Sequence, residues 1–152
     1  CKGDCEVLNE KCKLTPGVPC KPMLAKPTKG ISIIFKRFED RKFTCEFKYD
    51  GLRGQLHYKN GDVQLFSRNL ENMTQVYPDI LSLLKEKIDP SKVKSFIADS
   101  EIVAFDTQNN RILPFQVLMT RKKKDVDESS LKVQVCLFVF DMIYLNEESL
   151  ID

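Results

Sequence analysis

Three charged side chains at two-residue spacing, Glu46, Lys48 and Asp50, run directly into Gly51 and Arg53, and they single out Lys48 as the residue best placed to act as a nucleophile. A lysine attacks only as the free amine, and with a reference pKa of about 10.4 its deprotonation at pH 7 costs roughly 4.6 kcal/mol. The flanking carboxylates work the wrong way, because an opposite charge favours the ammonium form. Arg53, desolvation under a bound ligand, and a divalent cation would each push the pKa down again. Taken alone, the K-x-D-G-x-R string admits two readings, a reactive lysine or a salt-bridged surface strand.

The elements around the motif must hold it. Residues 43–49 read as a strand, whose two-residue period puts Glu46, Lys48 and Asp50 on one face and Phe47 and Tyr49 on the other. Gly51 then permits a turn or a close backbone approach. Residues 53–58 and 62–67 read as two more strands joined by the turn Asn60-Gly61-Asp62, so that the three form a β-meander. Ile31, Ile34, Phe35 and Phe38 recur at helical spacing over 31–40. A second helix fits 77–88, with Tyr77, Ile80, Leu81, Leu84 and Ile88 on one face, Pro78 in its first turn and Asp89-Pro90 ending it. Residues 95–105 and 132–145 read as further strands, the latter apolar on both faces and therefore expected to be central. The first 30 residues, punctuated by Pro16, Gly17, Pro19, Pro22, Pro27 and Gly30, form an extended lead-in. The class is α+β, with mainly antiparallel sheets and flanking helices, and no internal repeat is visible.

Composition bounds the answer without choosing it. At 152 residues, 42% hydrophobic and 30% charged, the chain can bury the core of one folded domain. A net charge of +2 leaves any nucleic-acid signal to local clusters. Of the six cysteines, Cys1, Cys5, Cys12 and Cys20 crowd the N-terminus, but there is no C-x-x-C pair and His57 is the single histidine. That spacing argues against both a disulfide scaffold and a zinc site. Cys45 and Cys136 lie in apolar runs and read as small hydrophobes, so a reducing, intracellular compartment is expected. No run is long and apolar enough to span a membrane, the first residues lack a signal-peptide pattern, and a soluble monomer is expected.

Lys48-Tyr49-Asp50-Gly51-Leu52-Arg53 resembles the K-x-D-G-x-R signature of the covalent nucleotidyltransferases, which include ATP-dependent DNA ligases, RNA ligases and messenger-RNA capping enzymes. Its surroundings select among these. Cys12 to Gly17, Lys21-Pro22-Met23-Leu24-Ala25, Phe66-Ser67-Arg68-Asn69, Pro114 to Leu118 and Thr120-Arg121-Lys122 are similar to the eukaryotic replicative ATP-dependent DNA ligases. The resemblance runs from about Cys12 to the last residue and implies a covalent-nucleotidyltransferase (ATP-grasp-like) adenylation domain. Residues 1–11 then read as the tail of a preceding DNA-binding domain, 12–30 as the lead-in, and 31–152 as the N-terminal portion of the adenylation domain.

The same resemblance implies roles. Lys48 would attack the α-phosphate of ATP to form a lysyl-AMP, which passes to the 5′-phosphate of a nick in double-stranded DNA before the 3′-hydroxyl displaces it. Glu46 would accept from the adenine amino group, Arg53 would contact the ribose and phosphate, and Glu101, in Asp99-Ser100-Glu101, would serve the ribose and Mg²⁺. Phe140 matches the aromatic that stacks on adenine, although a Phe in so apolar a strand is ordinarily core. Arg68, Asn69, Phe115 and the run Arg121, Lys122, Lys123 and Lys124 match positions on nicked DNA. The run equally fits a solvated turn neutralised by Asp125, Asp127 and Glu128, and Phe115 equally fits a core. Nuclear work in replication, repair and recombination, with partner proteins bound through other domains, is the accompanying expectation.

The family also uses a second carboxylate motif and a late K-x-K pair on the α-phosphate, and the resemblance places both downstream of these 152 residues. Since phosphoryl transfer leans on several cations, weak self-adenylation is expected of this stretch by itself. The alternatives are an RNA ligase, a capping guanylyltransferase, and a noncatalytic DNA-binding remnant.

Overall fold

The computed structural model describes residues 12–121 and 128–151. The expected domain tail 1–11 and the cations Lys122, Lys123 and Lys124 therefore lie outside the described residues.

A hairpin starts the sheet. β1 (Leu52–Lys59) returns as β2 (Asp62–Ser67) through Asn60 and Gly61, both at positive φ (49° and 93°). Two consecutive positive φ values make the two-residue turn whose twist matches paired strands, which is why Asn-Gly marks it in sequence. β3 (Ser95–Asp106) lies antiparallel to β1 on its other side, and β5 (Val135–Leu145) lies antiparallel to β3. Two short strands, β4 (Arg111–Ile112) on β3 and β6 (Glu148–Ser149) on β5, complete the order β2-β1-β3-β5-β6. The expected antiparallel α+β class holds.

One face of this sheet carries the core. Leu56 and Tyr58 of β1, Val63 and Leu65 of β2, and Phe96, Ala98, Ile102 and Ala104 of β3 alternate onto it. Helix α2 (Pro78–Lys87) closes that face with buried Ile80 and half-buried Leu81 and Leu84, its Pro at the first turn and Asp79 at the positive end of the helix dipole. A short helix, α3 (Phe115–Met119), adds Leu118. Each such large apolar side chain contributes about 1.5–3 kcal/mol on burial.

Four expectations change. Residues 43–49 form no strand: the expected partner was β1, and both of its edges are taken, by β2 and β3. The alternation expected of Glu46, Lys48 and Asp50 is thus not realised, and the meander has two strands in place of three. β5 is not the central strand either; β3 is, while Val139, Phe140 and Met142 of β5 are exposed. Helix α1 (Ile31–Phe38) buries none of its residues, and its Phe35 and Phe38 pack on Phe43, with ring centroids 5.9 and 4.9 Å away. Cys12, Cys20, Cys45 and Cys136 are free thiols, and Cys45 is exposed, so its place in an apolar run does not make it core. Among the described residues no group of His, Cys, Asp and Glu is arranged to hold a metal, and no helix is long and apolar enough to cross a membrane.

Candidate active site

The face of the sheet opposite the core is built by the other half of the strand alternation. On β1 it presents Arg53, Gln55 and His57, and the antiparallel register sets Glu101 across from Arg53 and Asp99 across from Gln55. Arg53 Nη2 donates to Asp99 Oδ2, and Gln55 Nε2 donates to Asp99 Oδ1 at 3.3 Å. Arg53 Nε is buried and makes no hydrogen bond within the described residues, a donor that a ligand can take up.

Beside this polar row opens a cleft of about 1090 Å³ lined by Glu46, Lys48, Arg53, Glu101 and Phe140 together. Arg68 and Asn69, exposed on the turn after β2, stand on its rim, and Met23, Leu24 and Ala25 of the lead-in form part of its wall. Phe47 and Tyr49 line it too, as expected of a segment without strand alternation. Lys48 and Glu46 are exposed.

Two backbone features set these positions. A Cβ on Gly51 would stand against the Ile102 carbonyl oxygen of β3, far inside van der Waals contact, so only glycine lets the chain after Lys48 pass this close to the strand carrying Glu101. On β5 the register jumps: Asp99 pairs with Asp141 and Ser100 with Val139, which leaves Phe140 as the extra residue of a β-bulge. Bulges re-aim side chains, and here the ring turns to the cleft with the Arg53 guanidinium carbon 5.4 Å from its centroid. That placement overrides the core reading of an apolar strand.

Glu101 is half-buried, and loss of hydration pushes its carboxyl above the usual glutamate range. A hydrogen bond from the Gly51 N–H and the charges of Lys48 and Arg53 pull the other way, while Asp50 adds to the rise. Lysine, arginine, an aromatic ring and a partly desolvated carboxylate around one cleft suit a ligand that is both flat and anionic.

Arg121 does not sit where the resemblance suggests. Its side chain is 2% exposed, and its two terminal nitrogens grip Asp79 of α2 at 3.0 and 2.5 Å. It also donates to the Val133 carbonyl at 2.8 Å and lies 4.9 Å from the Tyr77 ring centroid. Committed to this internal ion pair, it is not a cation offered to a DNA backbone. Phe115 is half-buried against the core cluster, as its apolar reading required. Gln55, His57 and Asp99, by contrast, were not singled out from the sequence as site residues. The usable signal was the two-residue period that continues from Arg53 through Gln55 to His57, and from Glu101 back to Asp99.

An antiparallel sheet with a lysine-bearing cleft walled on one side by Arg53 and Glu101 and on the other by Leu52, Met73, Val76 and Tyr77 defines the scaffold, and comparison with known proteins then identifies the family. The chain belongs to the ATP-dependent DNA ligases: that family's ATP-dependent DNA ligase domain matches residues 22–152. It is 50% identical over 155 residues to "DNA ligase 1" of Drosophila melanogaster, covering 99% of this chain and 20% of that protein. It is 54% identical to "DNA ligase 1" of Dictyostelium discoideum, over 93% of this chain and 12% of the relative, and 50% identical to that of Saccharomyces cerevisiae, over 95% and 19%. The chain thus spans a fifth or less of the length of these relatives. Among solved structures, the ligase domain of M. tuberculosis LigD matches in fold with a TM-score of 0.50 at 23% identity, covering 68% of this chain and 30% of that one. A mycobacterial DNA ligase D complexed with ATP and MES matches with the same score and coverage at 25% identity.

Proposed function

We propose that this chain supplies the nucleophile and much of the nucleotide pocket of an ATP-dependent DNA ligase that seals nicks through a lysyl-AMP intermediate. The observation that carries the reading is that Glu46, Lys48, Arg53, Glu101 and Phe140, drawn from the segment before β1 and from three strands, line one cleft.

The steps follow from the chemistry of these groups. Lys48 Nζ, as the free amine, attacks the α-phosphorus of ATP; a P–N bond forms, the P–O bond to pyrophosphate breaks, and the amine loses its proton. AMP then passes to the 5′-phosphate of a nick, and the 3′-hydroxyl displaces it to close the strand. Phe140 stacks on adenine, Glu46 accepts from the adenine amino group, and Arg53 meets the ribose and phosphate with the donor its own fold leaves over. Glu101 serves the ribose side and Mg²⁺. A single half-buried carboxylate fits Mg²⁺ that arrives with the nucleotide phosphates, since that ion is commonly held by one or two carboxylates plus substrate oxygens. When bound, the metal neutralises phosphate charge.

The described cations on the cleft are Lys48, Arg53 and Arg68. Lys48 is consumed as nucleophile, so slow adduct formation is expected of the chain by itself. Arg68 and Asn69 at the rim, with Lys122, Lys123 and Lys124, meet the backbone of nicked DNA. The eukaryotic relatives support a nuclear setting in replication, repair and recombination.

The test is to graft this chain into the Saccharomyces cerevisiae relative in place of its matching stretch and assay sealing of nicked DNA. We expect sealing with ATP, and its loss in Lys48→Ala. Sealing that survives Lys48→Ala would contradict the proposal, and an adduct formed with GTP in preference to ATP would move the chain to the capping class.

A further inference from the structure

Gln55 and His57 touch no part of the cleft, yet they are polar side chains only 4% and 1% exposed on the same face of the sheet as Arg53. Their partners explain the burial. The lead-in makes a turn in which Val18 N donates to Thr15 O at 2.9 Å, with Pro16 and then Gly17 at its two central positions. Gly17 has φ +95°, which only glycine adopts freely. The turn leaves the Gly17 N–H free, and it donates to His57 Nδ1 at 3.0 Å.

That hydrogen bond fixes the rest of the chain of donors. With Nδ1 accepting, the proton of the neutral ring sits on Nε2, which donates to Gln55 Oε1 at 3.0 Å. The same oxygen accepts from Cys20 N at 2.7 Å, and Gln55 Nε2 donates to Cys20 O at 3.2 Å, so the amide pairs both backbone groups of Cys20 as a neighbouring strand would. Gln55 Nε2 also reaches Asp99 Oδ1, and the other oxygen of Asp99 holds the Arg53 guanidinium that lies against Phe140. Donation runs from Gly17 through His57 and Gln55 to Asp99, which Arg53 meets from the other end, so an amide flip at Gln55 would face donor to donor at Cys20 and His57 and acceptor to acceptor at Cys20 and Asp99. From Cys20 to the cleft wall at Met23 is a step of three residues, one of them Pro22 with its fixed φ.

We propose that His57 and Gln55 are positioning residues for the nucleotide cleft: they moor residues 17–20 of the lead-in, setting Met23, Leu24 and Ala25 on the cleft wall, and through Asp99 they orient Arg53. The inference rests on reading the cleft as an ATP site. It deepens that reading by making the lead-in part of the pocket.

The experiment uses the full chain with ATP and Mg²⁺ as the probe, and reads two signals. One is the affinity for ATP; the other, independent of nucleotide, is the NMR resonance of the Arg53 Nε–H together with hydrogen exchange at the Gly17 and Cys20 amides. Gln55→Glu removes both donations from the amide and sets a carboxylate against Asp99. His57→Asn is the milder variant, keeping an acceptor near Gly17 while losing the donor to Gln55. Val63→Ala, on the core face of the hairpin, controls for simple loss of stability. We expect Gln55→Glu to weaken ATP binding roughly tenfold and His57→Asn severalfold, as for loss of hydrogen bonds to a charged network. Both should move the Arg53 resonance and speed exchange at Cys20, and Val63→Ala should do neither. An unmoved Arg53 signal in a folded His57→Asn chain would overturn the proposal, as would Val63→Ala weakening ATP binding equally. A wild-type chain that binds no ATP would refute the nucleotide reading, while the Arg53 and amide signals would still decide the mooring.

Discussion

Replacing Arg121 by Met separates two roles that the sequence left open. In the structure its guanidinium forms a two-pronged ion pair with Asp79 and donates to the Val133 carbonyl, with side-chain exposures of 2% for Arg121 and 23% for Asp79. Removing one partner of a buried pair costs about 3–5 kcal/mol, and Asp79 keeps partial access to water, which places the expected loss near the lower end, about 3 kcal/mol. Against a total stability of about 5–15 kcal/mol that is a large share, and for a chain of this size it lowers Tm by roughly 6–12 °C. Urea and thermal unfolding of the Arg121→Met chain measure it. Because Met fills part of the volume, Asp79→Leu combined with Arg121→Met should be less destabilised than the two single losses added together. DNA affinity supplies the counter-test: if Arg121 neutralised a DNA phosphate, its replacement would make the salt dependence of binding shallower by about one unit. A stability loss under about 1 kcal/mol together with that shallower slope would refute the internal role and return Arg121 to the DNA surface.

Three further outcomes follow from single positions. Gly51→Ala forces the segment bearing Lys48 away from the Ile102 carbonyl, and a displacement of about 1 Å costs on the order of a hundredfold in rate, so lysyl-AMP formation should fall by that much while ATP still binds. Phe140→Leu removes a stacking partner worth about 1–3 kcal/mol, so ATP affinity should drop about tenfold or more, with Phe140→Trp retaining most of it in a titration. The third concerns pH. His57, facing Asp99 in the interior and Lys59 and Asp62 nearer the surface, has its pKa lowered to about 4, chiefly by burial, with Asp99 opposing. Since the unfolded ring takes up its proton near 6.5 and the folded one does not, stability contributed by His57 is intact above that value and falls between pH 6.5 and about 4. The loss amounts to about 3 kcal/mol and should be absent from His57→Asn in pH-dependent unfolding.

Much of this was readable in advance for a physical reason. Alternation on β1 and β3 is local, and it put Leu56 and Tyr58 on one face and Arg53 on the other, while Asn60-Gly61 announces its own turn conformation. Residues 43–49 misled because strand formation needs a free neighbouring edge, and β1 has none to give. Phe140 reads as core in any pattern of apolar residues, since a one-residue bulge reverses the face without leaving a trace in composition. The roles of His57 and Gln55 depend on a lead-in segment forty and thirty-five residues earlier in sequence, a separation over which no periodicity speaks. Arg121 looked like the start of a basic run, and only the packing of α2 beside it shows that its charge is already matched.

The proposed reaction stands or falls on Lys48 carrying AMP. The most direct measurement is mass spectrometry of the digested protein, with this chain grafted into the Saccharomyces cerevisiae relative, after incubation with ATP and Mg²⁺ but without DNA. An adenylyl group is expected on the peptide containing Lys48, discharged when nicked DNA is added and missing in Lys48→Ala. An adduct mapped to another residue, or one that persists in Lys48→Ala, would contradict it.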